Sequence, residues 1–187
     1  IMAVIPLAAA CAGLVAACLW SIADSWFFPS ALPQNFHLIH WQDITSYVPL
    51  LKNSFLLAGG ASFAALLVVL AWSYAAPVSN FTNRWLLGCI FMPFFIPQIS
   101  FLLGMQISLS RVGLDGTWLA LMWVHMIFIL PYTWLIVIPA RRALDHRLDH
   151  LAATLGASGW KRFITLHMPL MAYPLGTALF IGISVSM

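Results

Sequence analysis

Apolar runs alternate with shorter polar segments along the chain, and the runs have the length of membrane-spanning helices. A helix of roughly 20 apolar residues crosses the hydrocarbon layer of a bilayer. Runs of this kind cover about residues 1–20, 55–75, 85–109, 118–139 and 170–187. The pattern therefore predicts an all-α membrane protein. We expect a polytopic helical bundle with five visible spans, in which residues 1–187 form a single transmembrane domain.

A long polar segment, the polar loop (residues 141–169), lies between the last two apolar runs. It holds five basic and two acidic residues, so it accounts for the whole net charge of +3. Basic residues concentrate in the cytoplasmic loops of membrane proteins. We therefore expect the polar loop in the cytoplasm. Alternation along the chain then places residues 76–84 inside and residues 21–49 and 110–117 outside.

Helix signals divide the polar loop into two short helices. From about Asp145 to Leu155, apolar side chains recur at spacings of three and four and form one face. The members of this face are Leu144, Leu148, Leu151, Ala152 and Leu155. Gly156 can take the left-handed conformation that ends a helix, and Ser158 can cap a second helix that runs through Phe163 and beyond. Periodicity alone leaves two interpretations open: a docking loop for another protein, or an amphipathic helix on the membrane surface.

The order of residue types in the polar loop resembles a known family motif. Residues 149–169 are similar to the EAA loop of ABC importer permeases, in which a Glu-Ala-Ala run precedes a Gly by a few residues. An aliphatic residue follows ten positions after that Gly, and an aliphatic-Pro pair closes the motif. Gly156, Leu166, Met168 and Pro169 match this spacing without a gap. The match favours the docking-loop interpretation.

The first half of the motif departs from the family. His150 stands where a Glu is usual and Leu151 where the first Ala is usual, although Asp149 supplies a carboxylate beside them. In the family, this loop docks into a cleft on the ATP-binding subunit. The resemblance therefore implies a coupling surface on this chain. Its expected members are Asp149, His150, Ala152, Ala153, Gly156, Ala157, Ser158 and Pro169.

The same resemblance implies a fold and a set of partners. Permeases of type I importers commonly have a sixth span after the fifth, and the chain also opens inside a hydrophobic run. We therefore expect it to be incomplete at both ends. The expected protein partners are an ABC ATP-binding subunit, a second permease half and a periplasmic or extracellular solute-binding protein. The chain itself is expected to span the lipid bilayer of a bacterial inner membrane. Residues 90–106 and 113–134 also look like one branch of these permeases. That branch includes importers of thiamine, polyamines, ferric iron, phosphonates and oxyanions.

Polar side chains at membrane depth mark a candidate translocation path. Gln98 and Gln106 lie in the third apolar run, where two prolines predict a bend. His125 and Tyr132 lie in the fourth run, and an ionisable group at this depth is a functional candidate because lipid penalises it. Alternatives remain open at this point. In the alternative to a path role, the two glutamine amides only form hydrogen bonds to neighbouring helices. For His125, the alternatives are a neutral side chain packed within the bundle or an axial haem ligand.

Composition excludes a soluble protein and limits the chemistry. The chain is 63% hydrophobic and 7% charged, whereas soluble domains carry about 25% charged residues. The basic residues are too few and too localised to indicate nucleic-acid binding. Cys11, Cys18 and Cys89 lie in apolar runs, without the spacing of a metal site or a disulfide framework. We interpret them as small buried hydrophobic residues.

The sequence holds no visible catalytic constellation. It lacks a GxxxxGK[ST] phosphate-binding loop, so we expect ATP hydrolysis on a partner and neither a cofactor nor an enzymatic activity here. His37 and His40 form a lone histidine pair without a carboxylate cluster, which does not favour a metal site. The predicted function is the permease subunit of an ATP-driven importer that works by alternating access. The alternative is an ATP-independent channel or a structural membrane subunit.

Overall fold

A computed structural model describes residues 4–23, 27, 35–36, 38–42, 44–75 and 84–187, and almost all of them are helical. The helices are α1 Val4–Ser21, α2 Ile39–Gln42, α3 Ile44–Ala75, α4 Arg84–Phe95, α5 Gln98–Arg111, α6 Trp118–Arg142, α7 His146–Thr154, α8 Gly159–Arg162, α9 Met168–Leu170 and α10 Ala172–Ser186. A π-helical turn, Phe163–His167, joins α8 to α9. The predicted all-α membrane fold is confirmed, and within the described ranges the β-type pairing is a single bridge between Ala23 and Phe36.

Contacts divide the chain into two units, and the smaller one is Ile1–Lys52. In it, the indole N–H of Trp41 donates a hydrogen bond to Ser21 Oγ at 2.9 Å, which ties the end of α1 to α2. Helix α3 begins at Ile44, so the segment predicted as a loop through residue 49 is already helical at its end. Pro49 lies within this helix and does not stop it. His37 lies outside the described residues.

The larger unit, Asn53–Met187, has a core formed by residues of α3, α6 and α10. Small residues of α3 are fully buried there, with Ala61 and Ala65 at 0% exposure and Ser62 at 1%. Gly182 of α10 packs against them, because a Cβ built on it would lie 2.8 Å from Ser62 Oγ. The small residues of α3 therefore form a packing surface, as in other membrane bundles.

One of the predicted spans, residues 85–109, is broken, and a second bend lies where the polar loop meets the last span. Helices α4 and α5 meet at an angle of 109°, and the segment Gly159–Leu170 meets α10 at 71°. The first break includes Pro97 and lies just after Pro93, as expected from the sequence, but its angle is far larger than that of an ordinary proline kink. Among the described residues, α3 and α6 are each long and apolar enough to cross a membrane, and up to four segments qualify if each bent pair is one span.

Candidate functional site

The polar loop forms the predicted pair of short helices. Asp145 caps α7, since its carboxylate accepts a hydrogen bond from the backbone N–H of Arg147 at 2.9 Å. Gly156 ends α7 with φ of +78°, a conformation that non-glycine residues rarely adopt. Ser158 Oγ then caps α8 by accepting from the N–H of Lys161 at 3.3 Å. The expected order of helix, glycine stop and capped second helix is confirmed, and the structure adds Asp145 as the cap of the first helix.

The apolar face of α7 is exposed. Its leucine stripe consists of Leu148, Leu151 and Leu155, which are 42%, 60% and 87% exposed. Trp160 on α8 is also 70% exposed. Leu144, in contrast, packs against the core of the bundle. Exposed leucines and a tryptophan on one short segment form the kind of apolar patch that marks an interaction surface.

The members of the expected coupling surface differ in exposure. His150, Ala153, Gly156, Ser158 and Pro169 are exposed, whereas Asp149, Ala152 and Ala157 are half-buried. Asp149 makes contacts inside the loop. Its Oδ2 lies 3.1 Å from Arg162 Nη1, and its Oδ1 lies 3.2 Å from His167 Nε2. The carboxylate thus ties α7 to α8 and to the π-helical turn.

A half-buried ring cluster joins the polar loop to the spanning helices. The ring of His167 stacks on Tyr74 at the end of α3, with centroids 5.4 Å apart, and Phe163 meets Tyr74 edge-on at 4.7 Å. The guanidinium carbon of Arg141, at the end of α6, lies 4.5 Å from the centre of the Tyr74 ring. We call Tyr74, Arg141, Phe163 and His167 the Tyr74 cluster. Sequence reasoning missed it because no local spacing connects residue 74 to the polar loop.

Burial governs the charge of His167 in this cluster. The residue is 6% exposed. Burial, and next the charge of Arg141, lower the pKa of His167 below its ordinary value, while Asp149 opposes them. Although Asp149 Oδ1 is close, it has no hydrogen-bond partner among the described residues. We therefore treat the His167–Asp149 contact as an electrostatic contact with a neutral imidazole rather than as an ion pair.

A second candidate site lies at the break between α4 and α5. A cleft of about 660 Å³ opens there between the break, α6 and the end of α10. Gln98, His125 and Tyr132 line it, whereas Gln106 does not and is exposed on α5. His125 Nδ1 lies 2.7 Å from Ser186 Oγ. The structure therefore brings together three of the four residues expected on a translocation path and leaves the fourth apart.

The lining of this cleft is uncharged. Its remaining residues are mostly apolar or aromatic: Pro93, Phe94, Ile96, Leu102, Val124, Phe128, Val185 and Met187. Phe94 packs edge-on against Tyr132 with centroids 5.0 Å apart. The cleft thus has a mainly apolar lining that contains a few hydrogen-bonding side chains. Over the described part of the chain, no group of three or more His, Cys, Asp or Glu residues is placed to hold a metal ion.

Curated relatives of the chain are permease proteins of ABC transporters. An inner membrane ABC transporter permease protein, YnjC of Escherichia coli (strain K12), is 33% identical over 135 residues, which cover 72% of this chain and 25% of that protein. A putative 2-aminoethylphosphonate transport system permease protein, PhnV of Salmonella typhimurium, is 28% identical over 108 residues. That match covers 57% of this chain and 41% of PhnV. No protein-family model matches.

The chain spans between a quarter and about two-fifths of the length of these relatives. Within that part, the predicted resemblance to the ABC permeases is confirmed.

Proposed function

Because the chain is a relative of the inner-membrane permeases of ABC transporters, we propose that it is a permease subunit of an ATP-driven importer. In this proposal, it is a multi-pass protein of the bacterial inner membrane that forms part of the solute path. It couples to a separate ATP-binding subunit through the polar loop, residues 141–169. A second permease half and a solute-binding protein complete the transporter.

The observation that carries the proposal is the exposed apolar patch on a structured polar loop. The leucine stripe and Trp160 leave large apolar side chains exposed. Caps at Asp145 and Ser158 and the pairing of Asp149 with Arg162 hold α7 and α8 in place. A patch that is already ordered loses little entropy when a partner covers it. An ordered docking element with an apolar face is what coupling to a second subunit requires.

Charge supports the cytoplasmic side for this loop. The polar loop holds the net charge of the chain, and basic loops are retained in the cytoplasm. An ATP-binding subunit would reach it there. The amphipathic-surface alternative puts the leucine stripe in lipid, but then the loop would need no glycine stop between two capped helices.

We further propose that the cleft at the α4–α5 break lies on the solute path. Broken helices at membrane depth are tolerated where they line a cavity, and several transporters bind their solutes at such breaks. Gln98, His125 and Tyr132 supply hydrogen-bonding groups to this cleft. Gln106 is outside it, so we assign that amide to the surface of α5 and not to the path.

Co-purification tests the proposal directly. The full chain, expressed with its neighbouring genes and carrying an affinity tag, should retain an ATP-hydrolysing subunit after detergent extraction. The double variant Leu151→Asp/Leu155→Asp should lose that subunit, because it puts two charges into the apolar patch. Val112→Asp is the matched control, since Val112 is 67% exposed in the distant turn after α5. If the wild-type chain retains no ATPase, the ATP-independent channel or structural subunit becomes the better description.

A further inference from the structure

The geometry points to a mechanical link inside the chain: we propose that Tyr74 and His167 are positioning residues that pass movement of the polar loop into α3 and α6. The inference rests on the proposed function, because it assumes that a partner moves the loop. It goes beyond docking, since it says which contacts carry the displacement to the membrane.

The first step is that the polar loop moves as one piece. Asp149 on α7 pairs with Arg162 on α8 at 3.1 Å, and Arg162 Nη1 also donates to the backbone carbonyl of Asp149 at 3.4 Å. The other carboxylate oxygen lies 3.2 Å from His167. One side chain on α7 therefore contacts both α8 and the π-helical turn. A push on the leucine stripe of α7 is carried to His167 without an intervening flexible segment.

The second step is the contact of His167 with the bundle. His167 and Phe163 both lie in the π-helical turn and both contact the Tyr74 ring. π-helical turns within helices occur frequently at functional sites. Tyr74 is the next-to-last residue of α3, and Arg141, over the same ring, is the next-to-last residue of α6. The ring is thus the point where the polar loop meets the ends of both full-length spanning helices.

The third step concerns what holds the Tyr74 cluster together. Tyr74 Oη and His167 Nδ1 are buried but have no hydrogen-bond partner among the described residues. Buried polar atoms in native proteins are mostly paired, and exceptions call for a reason. Stacking and the cation over the ring, rather than a hydrogen-bond network, maintain this contact. Such a stacked contact keeps the polar loop against α3 but allows the rings to slide over one another. It therefore suits a loop that has two arrangements relative to the spanning helices.

A labelling experiment tests the link without knowledge of the solute. The reference chain carries Val124→Cys in the cleft, with Cys11, Cys18 and Cys89 replaced by Ser, and is purified with the ATPase that it retains. The probe is a maleimide, applied with and without MgATP and vanadate. In the reference, trapping the nucleotide should change the rate at which Cys is labelled by about fivefold or more. A factor of about five is the lower end of the coupling typically measured between two allosteric sites.

Two substitutions at one position separate transmission from folding. Tyr74→Leu removes the ring and should abolish the nucleotide-dependent change while ATPase retention, ATP hydrolysis and thermal stability stay near the reference. Tyr74→Phe keeps the ring and loses only the unpartnered hydroxyl, so its response should match the reference. His167→Leu, which also removes a stacked ring, is the second test if Tyr74→Leu lowers the yield of folded protein.

The outcomes distinguish failure of the Tyr74–His167 link from failure of the proposed function. If Tyr74→Leu and His167→Leu respond to the nucleotide like the reference, the link is refuted although the proposed function stands. If both variants lose the ATPase together with stability, the cluster is only structural and the link is again refuted. A reference chain that retains no ATPase refutes the proposed function itself. Loss of response in both leucine variants, with recovery in Tyr74→Phe, supports the link.

Discussion

The tight contact between α10 and α3 allows a prediction whose size follows from the structure. A Cβ built on Gly182 would lie 2.8 Å from Ser62 Oγ, 3.0 Å from Ser62 Cβ and 3.0 Å from Ile129 Cγ2. These atoms cannot yield easily, because Ser62 is 1% exposed and Ile129 is 0% exposed. Ser62 Oγ is also held by its hydrogen bond to the carbonyl of Ala58 at 2.7 Å. Gly182→Ala should therefore force α10 away from α3 and α6.

Two opposing effects set the magnitude. Alanine is favoured over glycine within a helix by about 1 kcal/mol. Overpacking a closely packed core by one methyl group costs about 1–3 kcal/mol. The three contacts at or below 3.0 Å place this site in the upper part of that range, so the net loss should be about 1–2 kcal/mol. For a chain of this size, that corresponds to a decrease of about 2–8 °C in unfolding temperature.

Thermal unfolding of the detergent-solubilised chain measures the effect, and the same helix offers a matched control. Nothing lies within 4 Å of a Cβ on Gly176, so Gly176→Ala should leave the unfolding temperature unchanged or raise it. In a Ser62→Gly background, Gly182→Ala should cost less, because two of the three close atoms are gone. The reasoning fails if Gly182→Ala unfolds at the same temperature as Gly176→Ala.

The polar loop gives two further predictions. Gly156→Val places a β-branched residue at φ of +78°, which costs about 1–3 kcal/mol. This variant should abolish ATPase coupling while membrane insertion stays intact. Gly156→Asn should retain coupling, because asparagine tolerates this backbone conformation. Because burial lowers the pKa of His167, the folded loop should be fully stable above about pH 6.5 and lose stability as the pH falls below that value. Hydrogen exchange of the loop amides should detect this loss, and His167→Gln should remove it; an unchanged pH dependence in His167→Gln would contradict the assignment.

Local signals in the sequence were sufficient for the polar loop. Apolar residues at helical spacing, the stop at Gly156 and the cap at Ser158 lie within a short stretch of chain, and each acts on its immediate neighbours. Such effects do not depend on the rest of the fold, so the predicted helix order agrees with the structure. The close packing of small residues around Ser62 is also consistent with composition, since small residues are typical of helix contacts in membranes.

Long-range features were not readable in the same way. The Tyr74 cluster joins residues that are far apart in the chain, and nothing near Tyr74 or His167 signals their contact. The prolines located the break between α4 and α5, but the angle of 109° depends on what the two helices pack against. For the same reason, the sequence could not show that Gln98 lines the cleft and Gln106 does not, because this difference depends on the bend between α4 and α5.

The contacts of Asp149 change how the departure from the family motif should be interpreted. From sequence, Asp149 could stand in for the Glu that is missing at His150. In the structure, its carboxylate lies against Arg162 and His167, and its side chain is 35% exposed. Using it to bind a partner would require breaking contacts that hold α7 to α8. In the proposed transporter, the docking contact should therefore depend on the leucine stripe and Trp160, while Asp149 keeps the loop rigid. Asp149→Asn should accordingly weaken the response to nucleotide more than it weakens retention of the ATPase, and the reverse order would return Asp149 to the docking surface.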